Sequence, residues 1–145
     1  MAKIIVALDN MDFTKAELVA YQLEYLDVLI KVNSLLDEYI GPNGILRLQK
    51  YCPVMADTKF HDIPKTVCQR VKRYANYYKP AFITIHACGG IAMMQEAVKN
   101  RRKSNILAVT VLTSFNNEEC NFNLGAPVKE KVLQFARNAV LAGVQ

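Results

Sequence analysis

The sequence is poor in the side chains that build metal or disulfide frameworks. It holds two histidines, His61 and His86, and four cysteines, Cys52, Cys68, Cys88 and Cys120. No two cysteines form a CxxC pair, and the histidines lie at spacings unsuited to zinc, so a zinc-binding framework is excluded. Long apolar runs are missing as well. The stretch Ala2 to Leu8 is short and stops at Asp9, too little to span a bilayer. The start lacks the apolar region and small-residue cleavage site of a signal peptide. These absences lead us to expect a cytoplasmic chain with reduced thiols and no membrane partner. Linkers, sequence repeats and low-complexity segments are also absent, which favours one domain spanning residues 1–145.

What is present has ordinary globular character: 52% hydrophobic residues, 21% charged residues and a net charge of +5 spread along the chain. The densest basic cluster, Arg101, Arg102 and Lys103, has no interleaved aromatic residue. It reads as a solvated helix end and gives no reason to expect a nucleic-acid partner. A phosphorylated small molecule suits the charge equally well.

Short apolar runs alternate with segments of helical period. The first run, Lys3 to Leu8, ends at Asp9, and Thr14 with Glu17 predicts a capping box opening a helix to about Leu26. The second run, Val28 to Val32, contains Lys31 and precedes a helix-like stretch. The third, Pro53 to Lys59, leads into Ile63-Pro64 and a helix carrying Val67, Val71, Tyr74, Ala75 and Tyr78 at helical spacing. The fourth, Ala81 to Ile85, ends at His86, and Gly89-Gly90 introduces a further helix. The fifth, Ile106 to Leu112, ends at Thr113-Ser114. A polar loop with Asn116, Asn117 and Asn121 follows, and Pro127 opens a last helix with the apolar stripe Val128, Val132, Phe135, Ala136, Ala139 and Val140. Five β-α units in strict alternation imply an α/β fold with a parallel sheet and right-handed crossovers. A doubly wound open sheet and part of a closed barrel both satisfy that pattern. The turn Asn10-Met11-Asp12 lacks the glycines of a dinucleotide-binding fold, which weighs against the first.

Every apolar run ends in polar or ionisable side chains: Asp9, Lys31, Asp57 with Lys59, His86, and Thr113 with Ser114. In a parallel sheet the carboxyl ends of the strands point one way, so these groups meet on the face where barrel enzymes act. A charge ending one strand is usually a solvated loop; charges of both signs ending successive strands point to a site. Residues two apart on a strand share a side, so Asp57 and Lys59 are expected to project together. An ammonium held by carboxylates stays protonated, which suits a proton donor better than a nucleophile. The competing reading is an ion pair that closes a loop. Asp62 lies beyond the strand and needs a turn to join them.

The segment Asp57-x-Lys59-x-x-Asp62-Ile63-Pro64-x-Thr66 resembles the motif of the orotidine 5'-monophosphate decarboxylase family. The likeness extends to Val6-Ala7-Leu8-Asp9, Ile30-Lys31-Val32, Thr84-Ile85-His86-Ala87 with Gly89-Gly90, and Val109-Thr110-Val111-Leu112-Thr113-Ser114, in order across nearly the whole chain. The resemblance implies a (β/α)₈ TIM barrel, here about its first five β-α units without strands six to eight. It implies a carboxy-lyase of pyrimidine biosynthesis that turns orotidine monophosphate into uridine monophosphate and carbon dioxide, with neither metal nor organic cofactor. By similarity Lys59 protonates the pyrimidine carbon, Asp57 sits beside the departing carboxylate, and Lys31 completes the charge array and contacts the ribose. Asp9 binds a ribose hydroxyl, Ser114 hydrogen-bonds the pyrimidine, and Ile63 lines the pocket near the base. Asp62 and Thr66 act across the interface of a homodimer.

The likeness implies alternatives too: a magnesium-dependent sugar-phosphate decarboxylase or hexulose-phosphate synthase of the same superfamily. Ile63-Pro64-x-Thr66 points to the nucleotide branch. A non-catalytic half-barrel that binds a nucleotide or a partner chain is a further reading. The family's phosphate grip comes from loops after later strands and has no counterpart here, so the isolated chain is expected to be inactive. Asn33 stands where the family usually has glycine, and its tolerance of left-handed backbone is expected to make the change mild. Lys65 replaces a usual asparagine at a helix start, where its charge is slightly unfavourable. His86 reads as a hydrogen-bonded barrel histidine, His61 as outward-facing, Cys88 as a small packing residue and Cys68 as core.

Overall fold

The computed structural model describes residues 4–38 and 40–144. Strand β1 (Ile4–Ala7) leads to α1 (Phe13–Gln22), and β2 (Val28–Val32) to a single 3-10 turn, Ser34–Leu36, and the short α2 (Asn43–Leu48). Strand β3 (Val54–Phe60) precedes α3 (Pro64–Arg73), which runs into the wider turn Tyr74–Tyr78. Strand β4 (Phe82–His86), α4 (Ile91–Asn100), β5 (Asn105–Val109), α5 (Asn117–Leu124) and α6 (Val128–Leu141) complete the described chain. The part of the first apolar run at Lys3 lies outside the described residues.

The sheet decides between the two architectures. All four strand pairs are parallel, and their order is β1-β2-β3-β4-β5 with no reversal. A doubly wound sheet reverses its strand order at a switch point. A sequential parallel order with right-handed crossovers keeps the helices on one side, which is an arc of a barrel wall.

Two apolar clusters fix the helices to this wall. Leu8, Ala16, Ala20, Ile30, Ile45, Leu48 and Val54 join α1 and α2 to the first three strands. Val67, Val71, Ile83, Ile85, Met93, Met94 and Ile106 join α3 and α4 to β4 and β5. Burying a side chain of this size contributes roughly 1.5–3 kcal/mol. Tyr74 packs against both clusters, edge-on to Phe60 and Tyr78 at 5.2 Å each. Burial pushes its phenol up to about 12. The amide of Lys79 donates to Tyr74 O at 2.8 Å, closing the wide turn with a left-handed Lys79. No helix among the described residues is long and apolar enough to cross a membrane.

Several local expectations are corrected. Helix α1 is capped by Asp12, whose carboxylate accepts from the amide of Lys15 at 2.8 Å, not by Thr14 with Glu17. The helix begins one residue before Thr14, and Glu17 instead pairs with Arg47 on α2. Strand β5 stops at Val109, not Leu112. The expected polar loop after Ser114 contains α5, opened by a capping box between Asn116 and Glu119. Cys68 is half-buried where a core position was expected. The last helix opens after Pro127, as expected.

The wall is open at both ends among the described residues. Strand β1 leaves Ile4 66% and Ile5 43% exposed, and α6 leaves Val140 74% and Leu141 69% exposed.

Candidate active site

Polar side chains at the carboxyl ends of the first three strands form one chain of alternating charge. The ammonium of Lys31, on β2, lies 2.7 Å from Asp9 Oδ2 and 3.4 Å from Asp57 Oδ2. The ammonium of Lys59 lies 2.6 Å from the same Asp57 oxygen. Asp57 is therefore shared between two lysines, and it is 5% exposed. Asp9 reaches the array because the parallel ladder continues past β1, with the amide of Leu8 donating to Lys31 O at 2.9 Å.

Desolvation alone would raise the Asp57 carboxyl, but bonds from Lys59 and Thr84 and the charges of Lys59 and Lys31 hold it below the usual carboxylate range. Burial alone would lower Lys31, but its bond to Asp9 and the charges of Asp9 and Asp57 raise it. Both groups stay charged at neutral pH. Asp9 Oδ1 is closed to solvent and has no hydrogen-bond partner among the described residues.

Asp57 and Lys59 meet, as expected, but by an irregular route. Ala56 pairs with Ile83 and Phe60 with Ile85, so Asp57, Thr58 and Lys59 stand opposite the single residue Thr84. The chain accommodates the excess in a bulge, with Lys59 at φ 44°. Thr84 is 2% exposed and touches all three residues. Its hydroxyl donates to Asp57 Oδ1 at 2.9 Å and accepts from the Lys59 amide at 2.8 Å, while its carbonyl accepts from Thr58 Oγ1 at 2.8 Å. From the other flank, Asn33 Nδ2 donates to Asp57 O at 2.6 Å. Asn33 has φ −130°, so its place does not depend on left-handed backbone, contrary to expectation. The roles of Thr84 and Asn33 were missed from sequence. A threonine inside an otherwise apolar strand was the available signal, because a buried hydroxyl needs partners.

The remaining expected site residues are not gathered here. Asp62 Oδ1 caps the amide of Ile63 at 2.8 Å, and Asp62 Oδ2 lies 3.6 Å from Arg70. Ile63 is 65% exposed, and Thr66 sits in the first turn of α3. Ser114 is exposed beyond β5 and makes no side-chain hydrogen bond among the described residues. His86 is half-buried with its ring 5.7 Å from that of His61, and no hydrogen bond to it occurs among the described residues, contrary to expectation. Burial, His61 and Lys59 lower its basicity, only partly offset by Asp57, so it is neutral at pH 7. Cys88 is exposed, contrary to the packing position expected, with Sγ 3.8 Å from His61 Nε2; partial desolvation pushes its thiol up, which does not suit a nucleophile. A hollow of about 680 Å³ lies away from this array, between α2 and the end of α3, lined by Lys72, Arg73 and Tyr77 among others.

Comparison with known proteins matches this geometry to a family. The Orotidine 5'-phosphate decarboxylase / HUMPS family profile matches residues 2–144. An orotidine 5'-phosphate decarboxylase of Wolbachia sp. subsp. Brugia malayi is 33% identical over 148 residues, covering 99% of this chain and 65% of the relative. One from Geotalea daltonii is 37% identical over 154 residues, covering 99% and 63%. The crystal structure of orotidine 5'-phosphate decarboxylase from Lactobacillus acidophilus superimposes with a TM-score of 0.87 at 31% identity, covering 99% of this chain and 69% of that one. The chain thus spans 63–65% of the length of these two curated relatives. With the sequential parallel wall, the alternating charges and a profile running almost end to end, the chain belongs to the Orotidine 5'-phosphate decarboxylase / HUMPS family.

Proposed function

We propose that the chain supplies the charge array of an orotidine 5'-monophosphate decarboxylase, which releases carbon dioxide and leaves uridine monophosphate. The observation that carries this reading is the linear array Asp9–Lys31–Asp57–Lys59 at the strand tips. Loss of carbon dioxide leaves an electron pair on the pyrimidine carbon, and the Lys59 ammonium delivers a proton to it. Asp57, beside the substrate carboxylate, disfavours the charged ground state more than the transition state, in which that charge is leaving. Fixed charges of this kind need no reorganisation during reaction. Lys31 contacts the ribose, and Asp9, whose side chain is partly exposed, accepts from a ribose hydroxyl. The chemistry calls on neither metal nor organic cofactor, and a cytoplasmic setting suits it.

The pyrimidine and phosphate contacts lie further along the barrel. Ser114 binds the base, and three more β-α units close the wall and supply the phosphate grip. Asp62 and Thr66 serve a second copy's site in a homodimer, and Ile63, exposed at the start of α3, lines the pocket near the base.

The test is Lys59→Ala in the complete enzyme, assayed for carbon dioxide release. Proton transfer by a positioned side chain contributes about 10²–10⁴-fold, so turnover is expected to fall at least that far. Decarboxylation undiminished by the change refutes the assignment of Lys59. A chelator is expected to leave turnover intact; a loss restored by magnesium would transfer the site to the sugar-phosphate branch. Uridine monophosphate binding without any carbon dioxide release would favour a binding half-barrel.

A further inference from the structure

We infer that Thr84 is a positioning residue: together with Asn33 it replaces the broken strand ladder around residues 57–59 and sets where the Lys59 ammonium points. The inference rests on the decarboxylase reading only for its effect on turnover; the clamp itself is geometric.

The backbone ladder cannot position Lys59. Register between β3 and β4 is lost after Ala56 and resumes at Phe60, and pairing of β3 with β2 ends at Ala56. The three intervening residues include both partners of the shortest ion pair in the array. Side chains take over instead. Asn33, just past β2, holds the carbonyl of Asp57, while Thr84, on β4, holds its carboxylate and the amide of Lys59. One hydroxyl thus donates to the Asp57 carboxylate and accepts from the backbone of Lys59. That geometry fixes the two residues relative to each other and pins Lys59 in a left-handed conformation that residues other than glycine seldom hold unaided. The hydroxyl is also the group that leaves Asp57 Oδ2 free for the two lysines, because it occupies Oδ1.

A buried threonine could equally be a satisfied polar group of no further consequence. Thr84→Val and Thr84→Ser separate the two cases. Valine keeps the shape but leaves Asp57 Oδ1 and the Lys59 amide without their partner, whereas serine keeps the hydroxyl. In Thr84→Val the Lys59 amide is expected to exchange hydrogen faster while that of Ile83 does not. The Asp57 carboxyl should titrate higher by carbon-detected NMR, since a bond that lowers it is gone. In the complete enzyme kcat should drop by about ten- to a hundredfold with little change in KM, as expected for losing a hydrogen bond to a charged group. Thr84→Ser should restore all three readouts.

Thr84→Val with an unchanged Lys59 amide, Asp57 titration and kcat overturns the inference, as does a loss that serine fails to rescue. Should Thr84→Val fold poorly, Asn33→Ala decides. It is expected to lower kcat with little change in KM and to shift the Asp57 titration, and an unmoved pair of readouts overturns the clamp. If the parent enzyme releases no carbon dioxide, the functional reading fails alone, and the amide and titration measurements still decide the clamp.

Discussion

At the scale of single residues, the site works by placing charge where burial would otherwise remove it. Asp57 stays ionised because desolvation, which acts against it, is outweighed by two lysines and a hydroxyl. His86 lacks that support, and its loss of basicity has a consequence for pH dependence. Its folded value lies below the ordinary 6.5, so the unfolded chain binds its proton more readily. Its contribution to stability is complete above pH 6.5 and declines as pH falls through the lowered folded value. Asp57, also lowered, adds a second loss in more acidic solution, as pH falls below 3.8. Urea midpoints measured from about pH 8 to pH 5 are therefore expected to decline, and His86→Gln should flatten that limb. An unchanged limb would show that another group carries it.

The same scale shows how much of the site was legible in the sequence. Asp9, Lys31, Asp57 and Lys59 could be read because each interrupts or ends an apolar run, where a charge is conspicuous. Thr84 and Asn33 could not be assigned roles. Threonine is a normal strand former, and asparagine after a strand looks like any turn residue. What they contribute depends on a bulge, and an extra residue in one strand has no signature until its partner strand is known.

At the scale of elements, helix starts were harder to read than helices. Thr14 and Glu17 have capping-box spacing, yet Asp12 lies two residues earlier and its carboxylate reaches the Lys15 amide first. Helix α5 was hidden for a different reason. Asn117–Leu124 contains three asparagines, poor helix formers, and buries only Cys120, so no apolar period is visible. Its reciprocal cap, Asn116 Oδ1 accepting from the Glu119 amide at 2.9 Å and Glu119 Oε2 accepting from the Asn116 amide at 3.0 Å, was readable from the spacing. With so little burial, α5 depends on this cap. Asn116→Ala is expected to cost about 1 kcal/mol and to speed amide exchange mainly within residues 117–124. Equal acceleration throughout the chain would show that α5 does not open as a separate unit.

At the scale of the whole molecule, the parallel alternation fixed the class, while the strand order separated a barrel arc from a doubly wound sheet. The edge strands of the arc are β1 and β5, and exposed apolar groups lie along β1, at Ile4 and Ile5, and on α6, at Val140 and Leu141. Unpaired strand edges and apolar surface invite association. The chain alone is expected to associate in a concentration-dependent way in sedimentation experiments, and Val140→Lys with Leu141→Glu should weaken it. Monomers at all concentrations, with or without those changes, would show that these surfaces are not adhesive.

The clamp at Thr84 also has a bearing on biosynthesis. Every member of the charge network, from Asp9 to Thr84, lies on or just past the first four strands, and every tether holding it lies within β3 or joins neighbours in the sheet. A chain leaving the ribosome amino end first can bring these groups together as soon as β4 has emerged. The electrostatic heart of the site would then be set early in translation, with later segments arriving around charges already in place.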